Sequence, residues 1–408
     1  MITEKQVLDY IESKRTEIIS FMQRLIQTYS VTGEEAKIGE LMKQEYLRDG
    51  LEVDIIEPLE GRVSVVAKTD KAPPGPHMMM YSHYDTVPAG DSASWSHSPF
   101  SGEIAEGYLW GRGAQDNKIA TCGLTMAYRA LKELDIPLKG QITFTHVADE
   151  EKGGKYGFQE ILERGYGEDV DYLFYAHGGK EESIGVAANG NRGASILVKG
   201  RSAHTAQLEE GVNAVVGASK MVLELQELAH DVNTRKFHLP GTDSIMKSRF
   251  SINKIHGYIA NNNVPDKCEI YVDRRYTPAE TTEQVDQEYK NIIEKARRKY
   301  PDLEVEYQVV LGNLVSVAPA DSELVKGIQE AAQMVIGYKP KPVGGSHSSD
   351  HGWFVARHGK PFASYGIGGE GVHSANERIK VDDIIKTTKV YALSVMKILG
   401  ASETNEIF

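Results

Sequence analysis

Cysteine is scarce in this chain: 2 among 408 residues, Cys122 and Cys268. Two thiols so far apart cannot build a disulfide framework, and they point to a reducing, cytoplasmic setting. Long apolar runs are also missing, and none approaches the roughly 20 residues of a membrane span. The opening MITEKQVLDYIESKR puts acids and polar residues where a secretory leader needs an apolar stretch, so no leader is expected. Basic excess is absent. The 46 Lys and Arg against 58 Asp and Glu leave a net charge of −12, which excludes the basic footprint of a general nucleic-acid binder. Anionic substrates stay open, because a bound metal reverses the local sign. Low-complexity tracts and internal repeats are lacking too.

What the chain does have is length, and 13 histidines, several beside carboxylates in glycine-rich loops. A length of 408 residues suggests two or three domains, at roughly 150 residues each. Helical spacing of Val7, Leu8, Ile11, Ile18, Met22, Leu25 and Ile26 predicts one amphipathic helix over 5–28. A second helix should open at a Thr32-x-x-Glu35 capping box and stop near Gly50. Strand-like runs at 52–56, 62–68 and 77–82 precede helix 116–134, strand 141–148, a helix near 154–164 and strand 171–175. The consecutive apolar residues before His83 suit a strand buried on both faces. Alternating strands and helices predict an α/β fold on a mixed, largely parallel sheet flanked by helices.

From about 190 the order becomes β-α-β-β-α-β, which predicts an inserted ferredoxin-like α+β lid. After 312 the chain returns to helix 321–336, a Gly/Ser-rich loop at 344–349, strand 361–365 and helix 382–399. The expected domains are therefore 1–189 and 312–408 as two parts of one catalytic domain, with 190–311 inserted.

Three segments look chemical. His83-Tyr84-Asp85 leaves a buried strand, and strand ends of open α/β sheets are where ligands bind. Such a histidine could ligate a metal while Asp85 holds its other ring nitrogen. Taken alone, a His-x-Asp is more often structural. Asp116, after two glycines and just before a helix, is either a helix N-cap or a carboxylate bridging two cations. Asp149-Glu150-Glu151 ends a strand, as a solvated acidic loop or as a metal ligand beside a general base. His177 and His373 would each be structural in isolation. Jointly, His83, Asp116, Glu151, His177 and His373 all follow strands or strand-like runs of one layer. That mixture of imidazole and carboxylate suits zinc, cobalt or manganese, and two metals sharing one carboxylate make a hydrolytic centre.

The segments SHYDTVPAGD (82–91), GYLWGRGAQDNK (107–118) and ADEEKGG (148–154), in that order, resemble a known family. It is the metal-dependent family of succinyl-diaminopimelate desuccinylase, acetylornithine deacetylase, aminoacylase-1, glutamate carboxypeptidase and related dipeptidases. The resemblance runs over essentially the whole chain. It implies that His83 binds one metal, Asp116 bridges both and Glu151 binds the other, with His373 of GVHSANE completing the ligand set of the second metal. Glu150 would be the general base and Asp85 would orient His83. His204 in GRSAH resembles the lid histidine that reaches the active site, typically a partner subunit's, and stabilises an oxyanion. Asn263 and Arg275 resemble residues that hold a substrate carboxylate. Gly345 lies in a segment like the substrate-facing glycine-rich loop. His347 and His351 are four apart but read as supporting or structural.

One residue departs from the pattern. The second metal's further ligand, beside strand 171–175, is usually Glu or Asp, and here it is His177. The auxin-conjugate and hippurate branch uses His there, yet has Cys where this chain has Asp116. Imidazole for carboxylate leaves the site one unit more positive, which should make bound water more acidic and alter metal preference.

The expectation is a hydrolase of amide C–N bonds using two divalent metals, zinc first with manganese or cobalt as alternatives. Its substrates would be N-acyl amino acids or short peptides with a free carboxylate, and it would form a homodimer through the lid. The rivals are a dipeptidase or specialised aminohydrolase of the same family and a metal-binding protein without catalysis. A binuclear phosphoesterase lacks its expected Asp-x-His and Gly-Asn-His segments here.

Overall fold

Seven consecutive buried residues, His77–His83, form the central strand of a mixed sheet. Burial on both faces explains why Met78, Met79 and Met80 sit side by side without alternation. The computed structural model describes residues 2–71, 74–257 and 260–400. Strands Gln141–Val147, His77–His83, Tyr172–Ala176 and Phe362–Tyr365 are neighbours in that order and parallel. Glu52–Ile56 and Ser64–Lys68 extend one side antiparallel, and Ser183–Ala188 joins the other side antiparallel. All four parallel strands deliver their carboxyl ends to one edge, the edge where such sheets bind ligands. Helix Lys118–Glu133 packs with Val381–Leu399, which also packs on Glu323–Ile336. Tyr81 stacks on Tyr175 with centroids 4.4 Å apart, within an apolar cluster that includes Met79, Phe158, Leu173 and Phe362.

The chain divides into two compact units, one of Met1–Val186, Ala318–Val343 and Trp353–Phe408, the other of Ala187–Val317 and Gly344–Gly352. The second unit's sheet runs Arg249–His256, Lys267–Tyr276, Gly190–Lys199 and Glu304–Asn313, every neighbour antiparallel. Helices Ala214–Val232 and Thr282–Lys299 pack against it, over Ile196, Val198, Ile270, Val272, Leu225 and Ile293. Asn213 caps the first of these helices, its Oδ1 accepting from Val215 N and Val216 N. Residues 344–352, expected with the C-terminal part of the first domain, pack with the second unit. Gly345 O accepts from Asn189 N at 3.3 Å, and Arg275 donates to Ser348 Oγ at 2.7 Å.

Several expectations about elements are corrected. The helix expected over 5–28 is two helices, Glu4–Ser13 and Arg15–Gln27, broken at Lys14. Thr32 and Glu35 form no capping box before helix Ala36–Arg48. Instead Thr32 Oγ1 donates to Asp85 Oδ2 at 2.9 Å, and Glu35 accepts from Gly33 N and Arg62. The helix expected near 154–164 is short, Phe158–Glu163. The loop expected at 344–349 begins inside a strand, Lys341–Gly345. The hairpin Lys236–His238 with Ile245–Lys247 was not anticipated, since three-residue strands leave too little periodicity to read.

Candidate metal centre

The carboxylate of Asp116 is the hub. Its Oδ1 lies 3.0 Å from His83 Nε2 and 3.2 Å from His177 Nε2. Its Oδ2 lies 3.2 Å from His373 Nε2, which in turn is 3.1 Å from Glu151 Oε1. These residues form two overlapping groups, His83–Asp116–His177 and Asp116–Glu151–His373, each with ligand atoms within 4.8 Å of one another. Either donor set could hold a divalent cation. His177, expected to share a cation with Glu151 and His373, stands instead with His83. The reason is the sheet: His83 and His177 both leave the ends of adjacent parallel strands, so they emerge side by side.

Each side chain is held from behind. His83 Nδ1 lies 3.2 Å from Asp85 O and 3.4 Å from Asp85 Oδ1. His177 Nδ1 donates to Gly178 O at 2.6 Å. With Nδ1 engaged, it is Nε2 of each ring that faces Asp116, the nitrogen that would offer its lone pair to a bound cation. Asp85 also accepts from Glu150 N at 3.2 Å and Glu151 N at 3.3 Å, so one buried carboxylate sets both the histidine and the acidic loop. That loop is a single 3-10 turn, Glu150–Lys152, entered through Asp149 at φ 67° and left through Gly153 at φ 95°. Asp149 turns away to accept from Tyr156 N and pair with Arg62, which leaves Glu150 and Glu151 on the other side. The segment is therefore not a solvated acidic loop. Nor is Asp116 a helix cap: helix Lys118–Glu133 follows Asn117, and no side chain caps it.

The electrostatics fit a cation centre. Burial opposes ionisation of Asp116, but the His177 charge and bonds from His177, His373 and His83 hold its carboxyl well below the usual range. Burial also opposes charge on His83, yet Glu150, Asp116 and Asp85 raise its pKa well above the ordinary value. His177 is raised against burial by Asp116. Hydrogen bonds to Asp116 and Glu151 lift His373 to about 10. Burial pushes Glu151 up to about 7, with the His373 bond opposing and Asp116 adding to the rise. A carboxylate that draws three imidazoles toward protonation is a place where positive charge is wanted.

The remaining sequence candidates lie in the second unit. His204 and Asn263 are paired across two short antiparallel strands. His204 is exposed, and its Nδ1 accepts from Ala206 N at 3.1 Å. Arg275 is braced by Asp273 at 3.0 Å and by Ser348, in the segment that also carries Gly345. His351 is buried with Nδ1 3.1 Å from Ser316 Oγ, a structural placement.

Three supporting residues escaped sequence reasoning. Thr32 holds Asp85, Asn117 ties Ala176 O (2.9 Å) and Gly178 N (3.2 Å), and Glu377 grips the loop before Asp116. Asn117 and Glu377 adjoin or share the quoted motifs. Thr32 is 53 positions from its partner Asp85, and no local pattern signals it.

An imidazole–carboxylate centre at the carboxyl ends of a largely parallel sheet, in a chain that also carries a separate α+β unit, defines the class as a metallohydrolase of two-domain architecture. The chain belongs to the peptidase family M20/M25/M40, whose description matches residues 79–397. Members are metal-dependent hydrolases of amide bonds. The chain is 28% identical over 394 residues to a succinyl-diaminopimelate desuccinylase of Hydrogenovibrio crunogenus, covering 94% of this chain and 99% of that one. Its fold is similar to that of aminopeptidase PepT from Bacillus cereus, with TM-score 0.72, 23% identity and coverage of 94% and 98%. It is also similar to human carnosine dipeptidase 1, with TM-score 0.75, 18% identity and coverage of 97% and 99%. Among the described residues, no helix is long and apolar enough to cross a membrane.

Proposed function

We propose that this chain hydrolyses the amide C–N bond of N-acyl amino acids or short peptides that carry a free carboxylate. Two divalent cations would serve it, zinc first and manganese or cobalt as alternatives. The observation that carries this reading is the division of Asp116, whose Oδ1 faces His83 and His177 while Oδ2 faces His373. One group is His83, Asp116 and His177; the other is Asp116, Glu151 and His373. Bound there, the cations supply Lewis-acid polarisation and a lowered pKa for water.

The chain's own residues do the rest. Asp85 orients His83 and the turn bearing Glu150 and Glu151. Glu150 takes one proton from the attacking water as the C–O bond forms, then gives it to the nitrogen as the C–N bond breaks. His204, supplied across a homodimer built through the second unit, donates to the oxyanion. Arg275 and Asn263 hold the substrate carboxylate, and the Gly345 segment faces the substrate. The exposed Val216, Leu223 and Ile255 of the second unit are apolar surface that a homodimer would cover. The chain would work in the cytoplasm.

A panel split between N-acyl amino acids and dipeptides, run beside metal analysis, tests the reading. Turnover that is lost with chelator and returns with metal is expected, and the better half of the panel separates deacylase from dipeptidase. Stoichiometric metal without turnover on any member would favour a metal-binding protein instead.

A further inference from the structure

Glu377 is buried at 0% exposure, and its carboxylate sits in a nest of donors. Arg112 NH1 and Gly113 N donate to Oε2 at 2.6 and 2.9 Å, while Gln115 N and Asp116 N donate to Oε1 at 2.9 and 3.0 Å. Successive backbone N–H groups with a guanidinium select an anion, and both carboxylate oxygens are used in full. The backbone carbonyl of Glu377 also accepts from Gly111 N at 2.9 Å. Every one of these donors belongs to the segment that ends in Asp116.

Glu377 also closes the loop that carries His373. In that loop His373 and Asn376 both have left-handed backbones, φ 58° and 66°. Such conformations are uncommon for non-glycine residues, Asn and His adopting them more readily than most, and they persist where the surrounding structure supports them. Glu377 enforces one end, and Asn376 Oδ1, accepting from Ser96 N at 2.7 Å, adds a second tether. The 3.2 Å separation of His373 Nε2 from Asp116 Oδ2 therefore depends on the tie that Glu377 makes between the two segments. His83 and His177 depend on other supports: strand ends, Asp85, and the Asn117 clamp on Ala176 and Gly178.

We propose that Glu377 is a positioning residue for the cation held by Asp116, Glu151 and His373, acting on it in preference to the cation held by His83, Asp116 and His177. This rests on the two-cation reading above. A glutamine at 377 would set an NH2 group against two N–H donors, and a single amide oxygen cannot replace two carboxylate oxygens. The two segments would then part, and the His373 side would lose its geometry first.

The test is calorimetric titration of zinc, and separately manganese, into the metal-free full chain, wild type against Glu377→Gln. Circular dichroism and thermal unfolding of both metal-free proteins accompany it. Two sites are expected in the wild type. In the variant one should be unchanged and the other weakened about 10–100-fold, the usual effect of losing a support behind a ligand. Two unchanged sites in a folded variant, or equal weakening of both, would overturn the proposal. Fewer than two sites in the wild type would instead sink the two-cation reading. Should Glu377→Gln fail to fold, Arg112→Lys decides. It keeps the charge but loses the guanidinium fork, so a smaller weakening of one site is expected and unaltered binding overturns the inference.

Discussion

At the scale of single residues, neighbours in the chain have been sent to different tasks by backbone geometry. Asp149 points back to Tyr156 N and Arg62, Glu151 meets His373, and Glu150 stands beside Tyr175, whose hydroxyl lies 3.5 Å from Glu150 Oε1. A left-handed residue at 149 followed by one tight turn produces that separation. Glu150 belongs to neither ligand group, so Glu150→Ala should keep both cations while turnover falls by about 10²–10⁴-fold, the range of general acid–base catalysis. Metal analysis beside steady-state rates checks this, and near-normal hydrolysis would remove Glu150 from the base role. His83, Asp85, Glu150 and Glu151 stand out in the sequence as candidates because they sit in short motifs at strand ends, and Asp116 because it ends a glycine-rich turn before a helix. His177 was legible as a candidate, but its partner histidine was not. Which imidazole stands next to which depends on strand order, and strand order is not local.

At the scale of elements, a buried polar chain runs beneath the centre. Tyr46 of helix Ala36–Arg48 contacts His146 Nε2 at 2.5 Å, and His146 Nδ1 lies 2.6 Å from Ser82 Oγ. Ser82 in turn meets Thr121 Oγ1 of helix Lys118–Glu133 at 2.8 Å. Two strands and two helices are thus joined by hydroxyls and one imidazole. Burial depresses the His146 pKa to about 3, against roughly 6.5 for an unfolded histidine. Between those values the unfolded chain binds the extra proton, so stability rises with pH across the window and is lost as pH falls below about 6.5. The slope from this one group is about 1.4 kcal/mol per pH unit. Urea unfolding of the chelator-treated protein from pH 7 to 5 should show it, and His146→Gln should flatten the curve. Parallel curves would discount His146 as a source of acid lability. The N-terminal helices teach the complementary lesson. Apolar spacing resumes at Ile18 in phase with Ile11, yet the turn between them holds Lys14 and Arg15, and the chain starts a new helix there. Periodicity reports the buried face, not the axis. The Thr32-x-x-Glu35 pattern likewise had a stronger competitor, because the Asp85 carboxylate takes the threonine hydroxyl.

At the scale of the whole molecule, one unit carries all five proposed ligands and the other carries His204, Asn263, Arg275 and Gly345. If His204 serves across a homodimer, a mixture of His204→Ala and Glu150→Ala chains should regain part of the activity that each lacks alone. Random reassociation yields mixed dimers with one intact pair of residues. Assays of the two variants before and after mixing check this, and no recovery from a mixture that forms mixed dimers would mean that His204 does not act across subunits.

The sequence by itself determined the class of fold, and the types and order of the proposed ligands. Strand burial, strand-end carboxylates and glycine-flanked histidines are local consequences of composition and spacing. The family match over residues 79–397 agrees with the family resemblance read from the motifs. Only the tertiary structure decided how the proposed ligands divide. Asp116 offers one oxygen to each group because parallel strands bring His83 and His177 together, while a loop more than 250 residues further on returns His373 to the other side. It also decided the supports, Thr32 on Asp85 and Glu377 on the Asp116 segment. Contacts made across such separations depend on chain reversal and sheet order, and spacing along the chain carries no record of either.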